Sequence, residues 1–86
     1  MAREVFNRGL DGRTASLKAR DYLVTMHGNF GVWEFQVEEV EFNEQTKTWI
    51  IKCSFLPGML AAQRLKYEVQ ITDEGNLRSA TKIKTV

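Results

Sequence analysis

The sequence is short of the residues that build reactive centres. It holds one cysteine, Cys53, one histidine, His27, and one proline, Pro57, in 86 residues. A single cysteine excludes an internal disulfide framework. One His and one Cys, 26 positions apart, leave no ligand set for zinc or iron, which take several clustered His, Cys or carboxylate groups. The glutamates do not follow a calcium-loop spacing, and no Gly-rich phosphate-cradling motif occurs. Net charge is nearly absent too, at +1, so there is no global field to hold nucleic acid or a membrane surface. No apolar run approaches the length of a membrane span. The stretch Met1-Ala-Arg-Glu-Val-Phe-Asn-Arg8 has no signal-peptide core. The expectation is a cytoplasmic protein with no cofactor, no metal and no membrane partner.

What is present fits one small globular domain over residues 1–86. The chain is 43% hydrophobic and 27% charged, too apolar for a disordered segment. A chain this size buries roughly 64% of its unfolded surface, enough for one modest core but not for a deep active site. The charges are unevenly spread. Residues 32–46 carry Glu34, Glu38, Glu39, Glu41 and Glu44 with no basic residue, while residues 47–86 carry seven basic and three acidic groups. One acidic strand paired with basic neighbours accounts for this pattern, since opposite charges across strands stabilise a sheet.

Hydrophobic periodicity predicts one helix and four strands. Residues 1–13 are ambiguous between an edge strand, a helix lead-in and a mobile arm, because Asn7, Gly9 and Gly12 punctuate Val5, Phe6 and Leu10. Residues 14–27 place Ala15, Ala19, Tyr22, Leu23 and Met26 on one helical stripe, with Thr14 as N-cap. His27 and Gly28 suit the helix end. Residues 32–42 alternate as a strand through Trp33, Phe35 and Val37. The phase then slips to Val40 and Phe42, which predicts a bulge near Glu38–Glu39. After a turn at 43–46, residues 47–56 place Trp49, Ile51, Cys53 and Phe55 on one face. Residues 65–72 do the same with Leu65, Tyr67, Val69 and Ile71. A turn at Asp73–Asn76 leads into a weaker edge strand at 77–85. Short connections make the strands antiparallel neighbours. The predicted fold is α+β: one helix packed on a curled four-stranded antiparallel meander, whose second face meets solvent.

The stretch Tyr67-Glu-Val-Gln-Ile-Thr-Asp-Glu-Gly-Asn-Leu-Arg-Ser-Ala80 resembles the final hairpin of PepSY domains. The element order resembles the wider PepSY-like and cystatin-like group. That resemblance implies a helix cradled by a curled meander. Protease inhibition is not carried over. Cystatin-type inhibitors use a Gln-x-Val-x-Gly hairpin, whereas Gln36-Val37-Glu38-Glu39-Val40 keeps the Gln and puts carboxylates in the middle. PepSY domains are also mostly exported or membrane-attached, and no export signal is read here.

Few residues offer chemistry. Cys53 sits mid-strand on the apolar face, as a core cysteine does. His27 reads as a cap or surface residue. With no nucleophile and positioned base in sight, the protein is expected not to be an enzyme. Gly28-Asn-Phe-Gly-Val-Trp-Glu-Phe35 partly resembles the RNP1 stretch of RNA-recognition motifs. A weak nucleic-acid reading would use Phe30 with the edge residues Arg78, Lys82 and Lys84, but the acidic strand argues against nucleic acid as a partner. The most informative stretch is Phe55-Leu-Pro-Gly-Met-Leu-Ala-Ala62. The link at 57–64 is longer than hairpin loops usually are. It is either folded back on the core or an exposed patch for a protein partner or a second copy of the chain. Met59, Leu60 and Arg64 are the candidate contact residues. The expected function is a non-enzymatic binding or regulatory module.

Overall fold

The computed structural model describes residues 10–28 and 30–83. Residues 1–9, most of the segment that the sequence leaves open between an edge strand, a helix lead-in and an arm, and Lys84 lie outside them. The elements are α1 (Gly12–His27), β1 (Trp33–Asn43), β2 (Thr48–Leu56), β3 (Leu65–Thr72) and β4 (Leu77–Ile83). The strands form one antiparallel sheet in the order β1-β2-β3-β4. The α+β meander is therefore as the periodicity predicts.

The helix begins earlier than Thr14. Asp11 is the N-cap, and its carboxylate accepts from the Thr14 backbone N–H at 2.8 Å. Thr14 is thus the residue being capped, and Leu10–Arg13 form the helix lead-in and first turn. The anionic cap satisfies a free amide and complements the helix dipole. It also holds the Asp11 carboxyl below its ordinary range, chiefly through the Thr14 N–H. At the other end Gly28 takes φ +88°, a conformation glycine tolerates, and its N–H returns to the Val24 carbonyl at 2.7 Å.

Ala15, Ala19 and Leu23 of α1 pack on Ile51, Cys53, Phe55, Tyr67, Val69 and Ile71. The helix crosses β1, β2 and β3. Two small alanines let it sit close to the sheet. Cys53 lies fully buried in this core, and its thiol reaches the Tyr67 carbonyl at 3.8 Å.

The expected bulge is present: Val37 faces Cys53 and Glu39 faces Lys52, so Glu38 is the extra residue. The slip returns Val40 to the row of Ile51 and Phe42 to that of Trp49. A second break separates Trp33, opposite Leu56, from Gln36, opposite Ser54, with Glu34 at φ +51°. The smooth run of Trp33, Phe35 and Val37 hides it. Phe35 packs on the core, while Trp33 turns its indole N–H to the Phe30 carbonyl at 2.7 Å. β4 carries a further break at Arg78.

The sheet face away from the helix is less open than its alternation implies. Thr48 and Ser54 are buried there. Arg78 donates to Thr48 Oγ1 at 3.2 Å, and Arg64 lies over Ser54. Four ion pairs occur among the described residues, and every acid in them comes from the glutamate-rich segment: Glu34–Arg64, Glu38–Lys66, Glu39–Lys52 and Glu44–Lys47. Four of that segment's five glutamates are in this way paired within the chain.

Candidate functional site

Strand pairing gathers three segments at one end of the sheet. The start of β1 lies beside the end of β2, the 57–64 link leaves that same end, and α1 finishes there. Beneath them His27 sets its ring edge-on to Phe55 and Tyr67, with centroids 5.1 and 5.5 Å away, and Phe55 and Tyr67 stack at 5.7 Å. His27 Nε2 and Tyr67 Oη are hydrogen-bonded at 3.1 Å. His27 is therefore a packed, half-buried group and not merely a cap or a surface residue. Its position 40 residues before Tyr67 carried no pattern that would have shown this.

The link at 57–64 does not fold back on the core. Leu60 is 95% exposed and Met59 71%. They form the tip of a tight turn closed by Ala61 N–H donating to the Gly58 carbonyl at 3.1 Å. Pro57 and Gly58 stop β2 before this turn. Phe30, on the helix-to-strand connection, is 79% exposed. That connection is tight. A Cβ added to Gly31 would stand 2.3 Å from the His27 carbonyl oxygen, so only glycine fits.

Arg64 ties the end of the 57–64 link to β1 and β2. Its Nε donates to Ser54 Oγ at 3.0 Å and its Nη2 to the Ser54 carbonyl at 3.1 Å. Nη2 also donates to the Glu34 carbonyl, and Nη1 pairs with the Glu34 carboxylate at 3.7 Å. Ser54 in turn donates to Glu38 Oε2 at 2.9 Å, and Glu38 pairs with Lys66 at 3.6 Å. Planar, five-donor Arg suits this task, since one side chain reaches two strands at once. The buried side-chain polar atoms among the described residues all have partners. The network is thus a clamp that ties the end of the link to β1 and β2.

The structure does not bring the described nucleic-acid candidates, Phe30, Arg78 and Lys82, onto one surface. Phe30 stands on a loop, not on a strand. Lys82 pairs opposite Tyr67, in the row that faces the helix. Arg78 directs its guanidinium to Thr48 on the opposite face. No cluster of three or more metal-ligating side chains occurs among the described residues, and none of their helices is long and apolar enough to cross a membrane. Cys53 is held far from reactivity: burial, and after it the Glu38 charge, push its thiol up to about 11. Two open depressions flank β1, one along Glu39–Glu41 and one lined by Glu41–Gln45 with Ile50. Neither holds a nucleophile or a histidine. No protein-family model, curated protein or solved structure matches the chain.

Proposed function

We propose that this chain is a small non-enzymatic binding module that docks a protein through its 57–64 loop. One observation carries the reading: Met59 and Leu60 stand exposed on a loop whose base is clamped by Arg64. A loop held in one shape loses little conformational freedom on binding. Covering each of these side chains gains roughly 1.5–3 kcal/mol.

The rest of the surface offers less. Both sheet edges are guarded against strand addition, β1 by Glu38 and Glu39 at a bulge and β4 by Arg78 at another, with Lys82 beyond it. Much of the outer face is occupied by ion pairs and hydrogen bonds within the chain. The scattered basic residues give the nucleic-acid reading less support. In the same proposal the module is cytoplasmic and its architecture PepSY-like or cystatin-like. One helix on an antiparallel meander supports that likeness. The two breaks in β1 support a sheet curled toward the helix.

A photo-crosslinking residue at position 60, compared with one at Glu74 in the opposite turn, tests this in native lysate. The expected result is a discrete adduct from position 60 that disappears on Met59→Ser. Equal labelling from both positions overturns the reading. Sedimentation of the purified chain then tells whether the partner is a second copy.

A further inference from the structure

The sulfur atoms of the described residues divide into two kinds. Cys53 is fully buried in the core, whereas Met59 and Met26 are 71% and 52% exposed. We propose that Met59 is a modification site, at which a hydroperoxide oxidises the thioether to the sulfoxide and switches the docking loop off. The switching role rests on the docking reading above; the site itself does not.

The chemistry needs only access. The thioether sulfur attacks one peroxide oxygen, an S–O bond forms and the O–O bond breaks. The sulfur loses two electrons. The departing oxygen takes up the proton and leaves as water when the oxidant is hydrogen peroxide. A thioether carries no proton and does not wait for ionisation. A thiol does, because the thiolate is the reactive form. Cys53 is buried, and its thiol is raised to about 11, so little thiolate exists at neutral pH and none of it faces solvent. Oxidant is thereby kept from the core and meets the exposed thioethers, of which Met59 is more open than Met26.

The consequence follows from what the sulfoxide is. It replaces an apolar group by a strong acceptor. Burying that acceptor against an apolar partner surface without a donor is unfavourable. The turn itself is unaffected, because its closing bond runs between backbone atoms of Gly58 and Ala61. Folding should therefore survive while docking fails, and enzymatic reduction of the sulfoxide should restore the loop.

The sequence supplies an internal control. Trypsin cuts after Lys52 and Arg64, so Cys53 and Met59 leave in one peptide. Folded protein is treated with hydrogen peroxide, digested and mapped by tandem mass spectrometry. The expected result is one added oxygen on Met59 at least about tenfold ahead of any on Cys53. Oxidation of Cys53 first, or of both together, overturns the site. Binding of the intact protein to a phenyl resin reads the apolar tip. Oxidised protein should elute as early as Leu60→Ser, and sulfoxide reductase should reverse the change. Early elution of Leu60→Ser with unchanged elution of the Met59 sulfoxide overturns the switch alone. Unchanged elution of Leu60→Ser overturns the docking reading itself, whatever the order of oxidation.

Discussion

The two ends of the sheet are built on opposite plans. At the end that holds the 44–47 and 73–76 turns, the chain closes over its own apolar groups. Leu10 N–H donates to the Asp73 carbonyl and Asp73 N–H to the Lys47 carbonyl, each at 3.0 Å. Tyr22 Oη donates to the Gly75 carbonyl and Trp49 Nε1 to the Leu10 carbonyl, each at 3.1 Å. The helix cap, both hairpin turns and the start of β2 are thus tied to one another, and Leu10 and Trp49 are half-covered. At the opposite end the loops are tied as firmly, through Arg64 and Trp33, yet Phe30, Met59 and Leu60 point outward. The same chain half-covers Leu10 and Trp49 at one end, where Leu77 is 39% exposed, and leaves Phe30, Met59 and Leu60 far more open at the other. Lack of order does not account for the display, since the displaying loops are hydrogen-bonded. The proposed use as a contact surface would account for it.

The strongest way to test the contrast is to open the closed end. Trp49 lies 4.9 Å from Phe42, centroid to centroid, and fills the space beside Gly12. Trp49→Ala should cost about 3 kcal/mol or more, a fall in melting temperature of roughly 12 °C or more for a domain of this size. A fall of only a degree or two would mean that this end is not closed by packing. The next effect concerns the open end. Gly31→Ala drives a methyl group into the His27 carbonyl, while Gly58→Ala meets nothing. The first should cost about 1–3 kcal/mol, as forced overpacking does, and the second almost nothing. Equal melting temperatures for the two variants would show that the 28–33 connection is loose, and the idea of a rigid display would fail with it.

A smaller effect appears only in alkali and tests the core that both ends share. The Cys53 thiol has an ordinary value of 9.0 and is raised to about 11 in the fold. The unfolded chain therefore loses this proton first. The stability that goes with the protonated thiol is complete below about pH 9 and is lost as pH rises toward 11. The difference in melting temperature between wild type and Cys53→Ala should accordingly narrow across that range. A difference that stays constant from pH 8 to pH 11 would place Cys53 in contact with water.

These contrasts were only partly legible in the sequence. Strands announce themselves by alternation, and the slip between Val37 and Val40 announced the Glu38 bulge. The break at Glu34 did not, because Trp33 and Phe35 keep the right spacing while the backbone between them turns to positive φ. Gly12 reads as punctuation ahead of the helix and so puts the cap at Thr14, although an Asp three residues before a free amide serves the helix equally well. The exposed tip could be named as Met59 and Leu60 but not placed, since an apolar loop looks the same whether it folds inward or outward. Arg64 was legible as a loop residue near that tip. Its role as a clamp depends on Ser54 and Glu34, ten and thirty residues away, which no local pattern connects.

The last prediction is of almost no effect, and it is the one that separates display from cover. If Met59 and Leu60 are displayed, Met59→Ser with Leu60→Ser removes little packing that the folded chain makes with itself. Their backbone positions are fixed by Gly58, Ala61 and the Arg64 clamp, none of which is altered. Surface changes away from packed or hydrogen-bonded features usually stay within about 0.5 kcal/mol, so the double variant should melt within roughly 2–4 °C of wild type. Trp49→Ala supplies the scale, because it deletes an apolar side chain at the closed end. A fall in the double variant comparable to that of Trp49→Ala would mean that the loop covers the core after all. The two ends would then be built alike, and the proposed docking surface would lose its foundation.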